Sequence, residues 1–203
     1  MIIGVINGSP RVDSNSEKIA KHFESTIKAK NLADEVEMFS LKNNPIDFWV
    51  QDLWDPNSAA SKNWKPWAER LERCTSFVVI TPEYGGMATA GLKNLFTICG
   101  GKLLAHKPAM IVAVSSGEGG SYAHAELRMS SFKNNRICYI PDHMVIKRAD
   151  ELFKDKTAKT GSEDEHIRKR IFHSLKSLKR YDEALQVVRK NDDFDYKEFP
   201  FGM

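Results

Sequence analysis

Ile2-Ile3-Gly4-Val5-Ile6-Asn7-Gly8-Ser9-Pro10-Arg11-Val12-Asp13-Ser14-Asn15-Ser16-Glu17 places a strand, a turn and a helix start in one short stretch. Ile2 to Ile6 is apolar and rich in β-branched side chains, which favour extended backbone. Asn7-Gly8-Ser9-Pro10 ends the run. Ser14-x-x-Glu17 is a capping-box signature. Ile19, Ala20, Phe23 and Ile27 then recur with the spacing of one helical face.

The same alternation continues along the chain. Glu35 to Leu41 reads as a second strand. Phe77 to Thr81 and Ala109 to Val114 are short continuous apolar runs, as expected of strands covered on both faces. Gly91 to Ile98 and Ala123 to Phe132 have helical spacing, and Arg136 to Ile140 reads as a short last strand. Strands alternating with helices predict a doubly wound α/β fold: a five-stranded parallel sheet with helices on both faces.

Two segments fall outside this rhythm. Residues 42–66 contain Asn43-Asn44-Pro45, Asp55-Pro56-Asn57 and Lys65-Pro66 and read as a long loop. It carries Phe48, Trp49, Trp54 and Trp64, with Trp67 just beyond. Lys147 to Gly161 reads as a mobile polar connector. After it, Ile167, Ile171, Phe172, Leu175, Leu178, Leu185 and Val188 trace a long amphipathic helix. Arg168, Lys169, Arg170, Lys176, Lys179 and Arg180 lie on its other face and read as a solvated surface.

Composition narrows the class. The 203 residues are 41% hydrophobic and 28% charged, as expected of one globular domain, residues 1–203, with a helical extension from about 147. A formal charge of +3, mixed in sign, gives no nucleic-acid footprint and no polybasic membrane anchor. No apolar run approaches the ~20 residues of a membrane span. Cys74, Cys99 and Cys138 are widely spaced with no C-x-x-C pair, so a reducing cytoplasm is expected and a zinc site or disulfide framework is not.

In such a sheet, ligands bind beyond the carboxyl ends of the strands. Three turns fall there, Gly8 to Ser16, Pro82 to Ala90 and Ser115 to Ser121, all rich in small or hydroxyl residues. The first offers hydroxyls, the Arg11 guanidinium and helix N–H groups, the parts that hold a phosphate monoester. It is not a P-loop, and Gly100-Gly101-Lys102 is followed by Leu103 rather than Ser or Thr. An ordinary capped helix with a surface arginine is the alternative. Gly85-Gly86 and Gly117-x-Gly119-Gly120 let backbone approach a ligand closely, although glycines also serve plain turns. The six histidines have no metal-ligand spacing, Ser115 and Ser116 form no nucleophile elbow, and Asp142-His143 reads as a turn.

Together the turns resemble the NADPH-dependent FMN reductase family of flavodoxin-like proteins, which includes azoreductases, quinone reductases and chromate reductases. Gly8, Ser9, Arg11 and Ser14 match Gly-Ser-x-Arg-x-x-Ser. Pro82, Glu83, Tyr84, Gly86, Leu92, Lys93 and Asn94 match Pro-Glu-Tyr-Asn-Gly-Ser-x-Pro-Gly-x-Leu-Lys-Asn at the same spacing. The chain departs at Gly85, where the family has Asn, at Met87, where it has Ser, and at Thr89-Ala90, where it has Pro-Gly.

The resemblance covers about residues 1–140 and implies bound FMN. Ser9, Arg11, Ser14 and Ser16 would hold its phosphate. Pro82, Glu83, Tyr84, Gly85 and Gly86 would surround its ring, with Ser116, Gly117 and Gly120 at the other edge. It implies hydride transfer from NADPH or NADH through flavin to a small-molecule acceptor: a quinone, azo compound, metal oxyanion or free flavin. No side-chain acid–base dyad is then needed, since the flavin carries the chemistry. It further implies a homodimer or homotetramer. The alternatives are a flavodoxin-type electron carrier, usually more acidic than this chain, and a flavin-free binding or regulatory module.

Overall fold

The structure is a computed structural model that describes residues 1–100, 103–191 and 193–199, so Gly101 and Lys102 of the failed P-loop match lie outside it. Strand β1 (Ile2–Asn7) is followed by α1 (Asn15–Ala29) and β2 (Glu35–Ser40). After a short 3-10 turn at Gln51–Trp54 come α2 (Ala59–Arg73), β3 (Ser76–Pro82), α3 (Ala90–Ile98) and β4 (Pro108–Val114). Then follow α4 (Ser121–Ser130), β5 (Cys138–Tyr139), β6 (Met144–Ile146) and α5 (Glu163–Lys190).

Every pairing in the sheet is parallel, in the order β2-β1-β3-β4-β5, with β6 also on β4. This is the expected flavodoxin-like order, and it reverses between β1 and β3. The fifth strand is broken in two. Cys138 and Tyr139 pair with Pro108 and Ala109, and Met144 to Ile146 pair with Val112 to Val114. Pro141, in the gap, has no N–H for the ladder, so the edge bulges out and resumes three residues later. The sequence reading stopped the strand at Ile140 and missed β6.

The two apolar faces of the sheet are covered separately. Ile19, Phe23 and Ile27 of α1 join Ile171, Leu175 and Leu178 of α5 over Ile3, Val5, Val78, Ile80 and Val112. Leu71 of α2, Leu92 and Leu95 of α3 and Leu127 of α4 cover Ile6, Phe77, Val79 and Ile111. The helix expected as an extension therefore shares one sheet face with α1. Its basic surface is largely met by Asp164, Glu165, Glu183 and, across the fold, Asp142.

Two loop expectations are corrected. Residues 59–66 belong to α2, whose start is fixed by Ser58 Oγ accepting from Ser61 N at 3.0 Å. Pro66 is tolerated because it and Lys62, whose carbonyl loses its partner, both face water. Lys147 to Gly161 is packed rather than mobile. Ala149 and Leu152 are buried, and Lys18 Nζ donates to both their carbonyls at 2.8 Å.

Several histidines serve as packing rings. His22 lies 4.6 Å from the Phe153 ring, and His124 stacks on His143 at 3.9 Å. Burial, reinforced by Arg168 beside His22 and by His143 beside His124, pushes both down to about 4. In the unfolded chain a histidine takes up its proton near pH 6.5. Between pH 6.5 and 4 the unfolded state therefore binds more protons, and stability falls as pH falls through that window. The urea midpoint of the wild-type chain should drop more steeply between pH 7 and 4 than that of a His22→Gln/His124→Gln variant. Parallel profiles would show that neither ring resists protonation.

Candidate functional site

The strand ends bring the three turns together. A cleft of about 200 Å³ is lined by Ser9, Arg11, Ser14, Asn15 and Ser16 from the first turn, Pro82 to Tyr84 from the second, and Val114 to Gly117 from the third. It lies at the carboxyl ends of β1, β3 and β4, beside the reversal in strand order. A larger groove, about 390 Å³ between α3 and the end of α4, lies away from these strand ends.

The first turn is held mostly by its own polar atoms. Asn7 Oδ1 accepts from Ser9 N at 3.1 Å, and Ser9 Oγ accepts from Arg11 N at 3.3 Å. Ser14 Oγ caps α1 by accepting from Glu17 N at 3.1 Å. Only half of the capping box forms, because the Glu17 carboxylate pairs with Lys21 instead. Gly8 N–H donates to Ile80 O at 2.8 Å, so backbone lies on backbone there. A Cβ at Gly8 would sit 2.7 Å from that carbonyl and 3.0 Å from Leu92 Cδ2.

Two groups in this turn are uncommitted. The buried Ser16 hydroxyl, on the cleft lining, has no hydrogen-bond partner among the described residues. Arg11 is exposed, and its guanidinium makes no ion pair among them. An orphaned hydroxyl and a free guanidinium at a helix N-terminus fit a phosphate monoester.

The second turn is a tight hairpin. Tyr84 and Met87 exchange both backbone hydrogen bonds at 3.0 Å, with Gly85 at φ 58° and Gly86 at φ 78° between them. Positive φ at both central positions is the type I′ pattern, which Asn-Gly also satisfies. The Gly85 departure thus keeps the backbone and removes only an amide side chain. Thr89, in place of the family's proline, caps α3 and donates its hydroxyl to Gly8 O at 2.6 Å.

Glu83 lines the cleft and also braces the frame. Its Oε2 accepts from Tyr122 N and Ala123 N, both at 3.2 Å, and so caps α4 from another turn. Gly119 gives that carboxylate its room, since a Cβ there would collide with Glu83 Oε1. Gly120 (φ 111°) begins α4 but does not line the cleft, and Gly85 and Gly86 also stand outside its lining. Gly117 faces open space.

Sequence reasoning missed Asn15 and Asp150. Asn15 Nδ2 donates to Ser116 Oγ at 3.2 Å and Asp150 Oδ1 at 2.7 Å, joining the first turn to the third and to the segment after β6. Hydrogen bonds from Asn15 and Ser116, aided by Lys18 and Arg11, hold the Asp150 carboxyl below the usual carboxylate range. Asn15 carried a signal, since it adjoins the cap; Asp150, 135 residues on, carried none.

A model of the family described as NADPH-dependent FMN reductase matches residues 1–151. Comparison with curated proteins gives no match. Among solved structures, the chain is similar to FerB, a flavoenzyme NAD(P)H:(acceptor) oxidoreductase from Paracoccus denitrificans. The TM-score is 0.67 at 20% identity, over 90% of this chain and 97% of that one. It is also similar to an NADH:FMN oxidoreductase, EmoB, in its apo form, with TM-score 0.63 at 20% identity over 88% of each chain. A third is an FMN-dependent NADH-azoreductase from Bacillus anthracis in complex with FMN. There the TM-score is 0.54 at 12% identity, over 93% of this chain and 99% of that one. At these identities the likeness is one of fold.

The close approach at Gly8 is open to a direct check. Gly8→Ala forces the first turn off β3, and overpacking of this kind costs about 1–3 kcal/mol. For a chain of this size the melting temperature should fall by roughly 2–12 °C. An unchanged melting temperature would mean that the turn has room the structure does not show.

Proposed function

The chain belongs to the NADPH-dependent FMN reductase family, and on that premise we propose that it binds FMN in the cleft and reduces a small acceptor with NAD(P)H. The observation that carries this reading is the convergence of Arg11 and the orphaned Ser16 hydroxyl on one helix N-terminus. The chemistry FMN supplies is acceptance of hydride from NAD(P)H and onward delivery of electrons. Quinones, azo compounds, metal oxyanions and free flavins are the acceptor classes of the proposal.

The residues divide the work. Ser16 Oγ, the α1 N–H groups and Arg11 meet the phosphate, while Ser9 and Ser14 hold the turn in shape. Pro82 and Tyr84 wall the ring side, with the Gly85-Gly86 backbone behind them. Ser116 and Gly117 lie across the cleft, and Gly120 sets the start of α4. A formal charge of +3 weighs against the electron-carrier alternative. No helix among the described residues is long and apolar enough to cross a membrane. The three free cysteines, two of them buried, support a reducing compartment, and the cytoplasm is part of this reading.

Arg11 tests the site. It is the cation of the turn facing a phosphate of about −1.5 to −2 charge. A hydrogen bond to a charged group contributes roughly 1.5–3 kcal/mol. Arg11→Ala should therefore weaken FMN binding about 10- to 100-fold. Riboflavin, lacking the phosphate, should bind both proteins equally, and the melting temperature without flavin should barely move. Unchanged FMN affinity would reduce Gly8 to Ser16 to a helix cap. Anaerobic NADPH or NADH should bleach the bound-flavin spectrum, whereas a carrier would keep its colour.

We also place a second copy of the chain beside the cleft. Phe48 and Trp54 are 71% and 73% exposed, Tyr122 and Met129 75% and 78%, large apolar side chains that a second copy would cover. Light scattering at micromolar concentration should give at least a dimer; a fully active monomer would refute it.

A further inference from the structure

The Tyr84–Met87 hairpin is fastened to α4 at both of its roots. On one side the Glu83 carboxylate accepts from Tyr122 N and Ala123 N. On the other, Glu126 Oε2 accepts from Ala88 N at 2.6 Å. The two straps run in opposite directions, one carboxylate from the hairpin to the helix and one from the helix to the hairpin. Lys93 Nζ, 2.9 Å from Glu126 Oε1, balances the charge of the second strap. Ala88 is buried, so in the folded protein its N–H relies on that carboxylate for a partner.

We propose that Glu126 is a positioning residue for the flavin ring, because it fixes the hairpin that walls the ring side of the cleft. This rests on the FMN reading above. The hairpin would otherwise be weakly held, since its two glycines supply no side-chain packing and Tyr84 and Met87 are 39% and 51% exposed. A tight turn with that little burial keeps one orientation only if its ends are tied. The phosphate end of the cleft is built on α1; neither strap carboxylate bonds to it, and its tie to Thr89 runs from the α3 cap. Loss of Glu126 must therefore act on the ring and spare the phosphate, the reverse of the Arg11 pattern.

The experiment measures FMN and riboflavin affinities for the full chain and for Glu126→Ala, Glu126→Gln and Lys93→Met, with amide exchange at Ala88 followed without flavin. Glu126→Ala should weaken both flavins by the same factor, about 10-fold. Exchange at Ala88 should rise with it. Glu126→Gln keeps an oxygen for Ala88 N and should recover both flavins to within about 3-fold, a rescue that general destabilisation would not give. Lys93→Met removes only a partly exposed ion pair and should change either affinity by less than about 5-fold. Three results overturn the proposal: unchanged flavin affinities despite faster exchange, loss of FMN alone, or failure of Glu126→Gln to rescue. Should Glu126→Ala not fold, Glu126→Gln decides by its exchange rate and its FMN-to-riboflavin ratio against the wild type. Wild-type protein that takes up neither flavin overturns the FMN reading itself, and this inference with it. That result is distinguishable from the other three, which all require a wild type that binds.

Discussion

Because β1, β3 and β4 run parallel, none can turn tightly into its neighbour, and each connection must cross the sheet and return. Every strand then ends at the same edge. Three turns that are far apart in the chain become neighbours without any contact having to be specified between them. The apolar strand interiors enforce this, since Val78, Ile80, Met110 and Val112 are fully buried between two helix layers. The cleft follows from the strand directions, and its chemistry from what the turns happen to carry.

Much of this was legible in the residues. Continuous apolar runs show strands buried on both faces, and Ser14 before Ile19 shows where a helix begins. What escaped notice was carried by single residues with ambiguous meaning. Lys65-Pro66 looks like a break, yet a proline whose lost hydrogen bond faces water leaves α2 intact. Pro141 looks like the end of a sheet, yet the edge strand resumes at Met144 because β4 still offers its free side. In Lys147 to Gly161 the polar majority hides Ala149 and Leu152, and the segment is fastened by Lys18 and Asn15 of α1.

Side chains that reach across the fold were the least legible. A carboxylate usually caps the helix on which it stands or the one just after it. Glu83 instead caps α4, some forty residues on, because Gly120 at the start of that helix has no side chain to offer. Thr89 caps its own helix and also ties the first turn, while Asn94 holds the backbone at Asp47 and Trp49. Matched to a family pattern, Glu83 reads as a ring contact. Its Oε2 also belongs to the frame. The matched pattern thus describes how the cleft is built as much as what it holds.

That distinction bears on where the chemistry must come from. Ser9, Ser14, Asn15, Glu83 and Asp150 all lie at or near the cleft, and each has a polar atom engaged by its own turn or by a neighbouring turn or helix. A carboxylate that accepts two helix N–H groups is poorly placed to move a proton to or from a substrate, since leaving them would orphan the start of α4. The groups left over include the second Glu83 oxygen, a hydroxyl at Ser16, a guanidinium at Arg11, open backbone at Gly117 and the half-exposed ring of Tyr84. Those groups can bind an anion and flank a planar molecule. On the FMN reading, a reaction run in this cleft takes its reactive atom from the flavin, and the protein contributes orientation and shape.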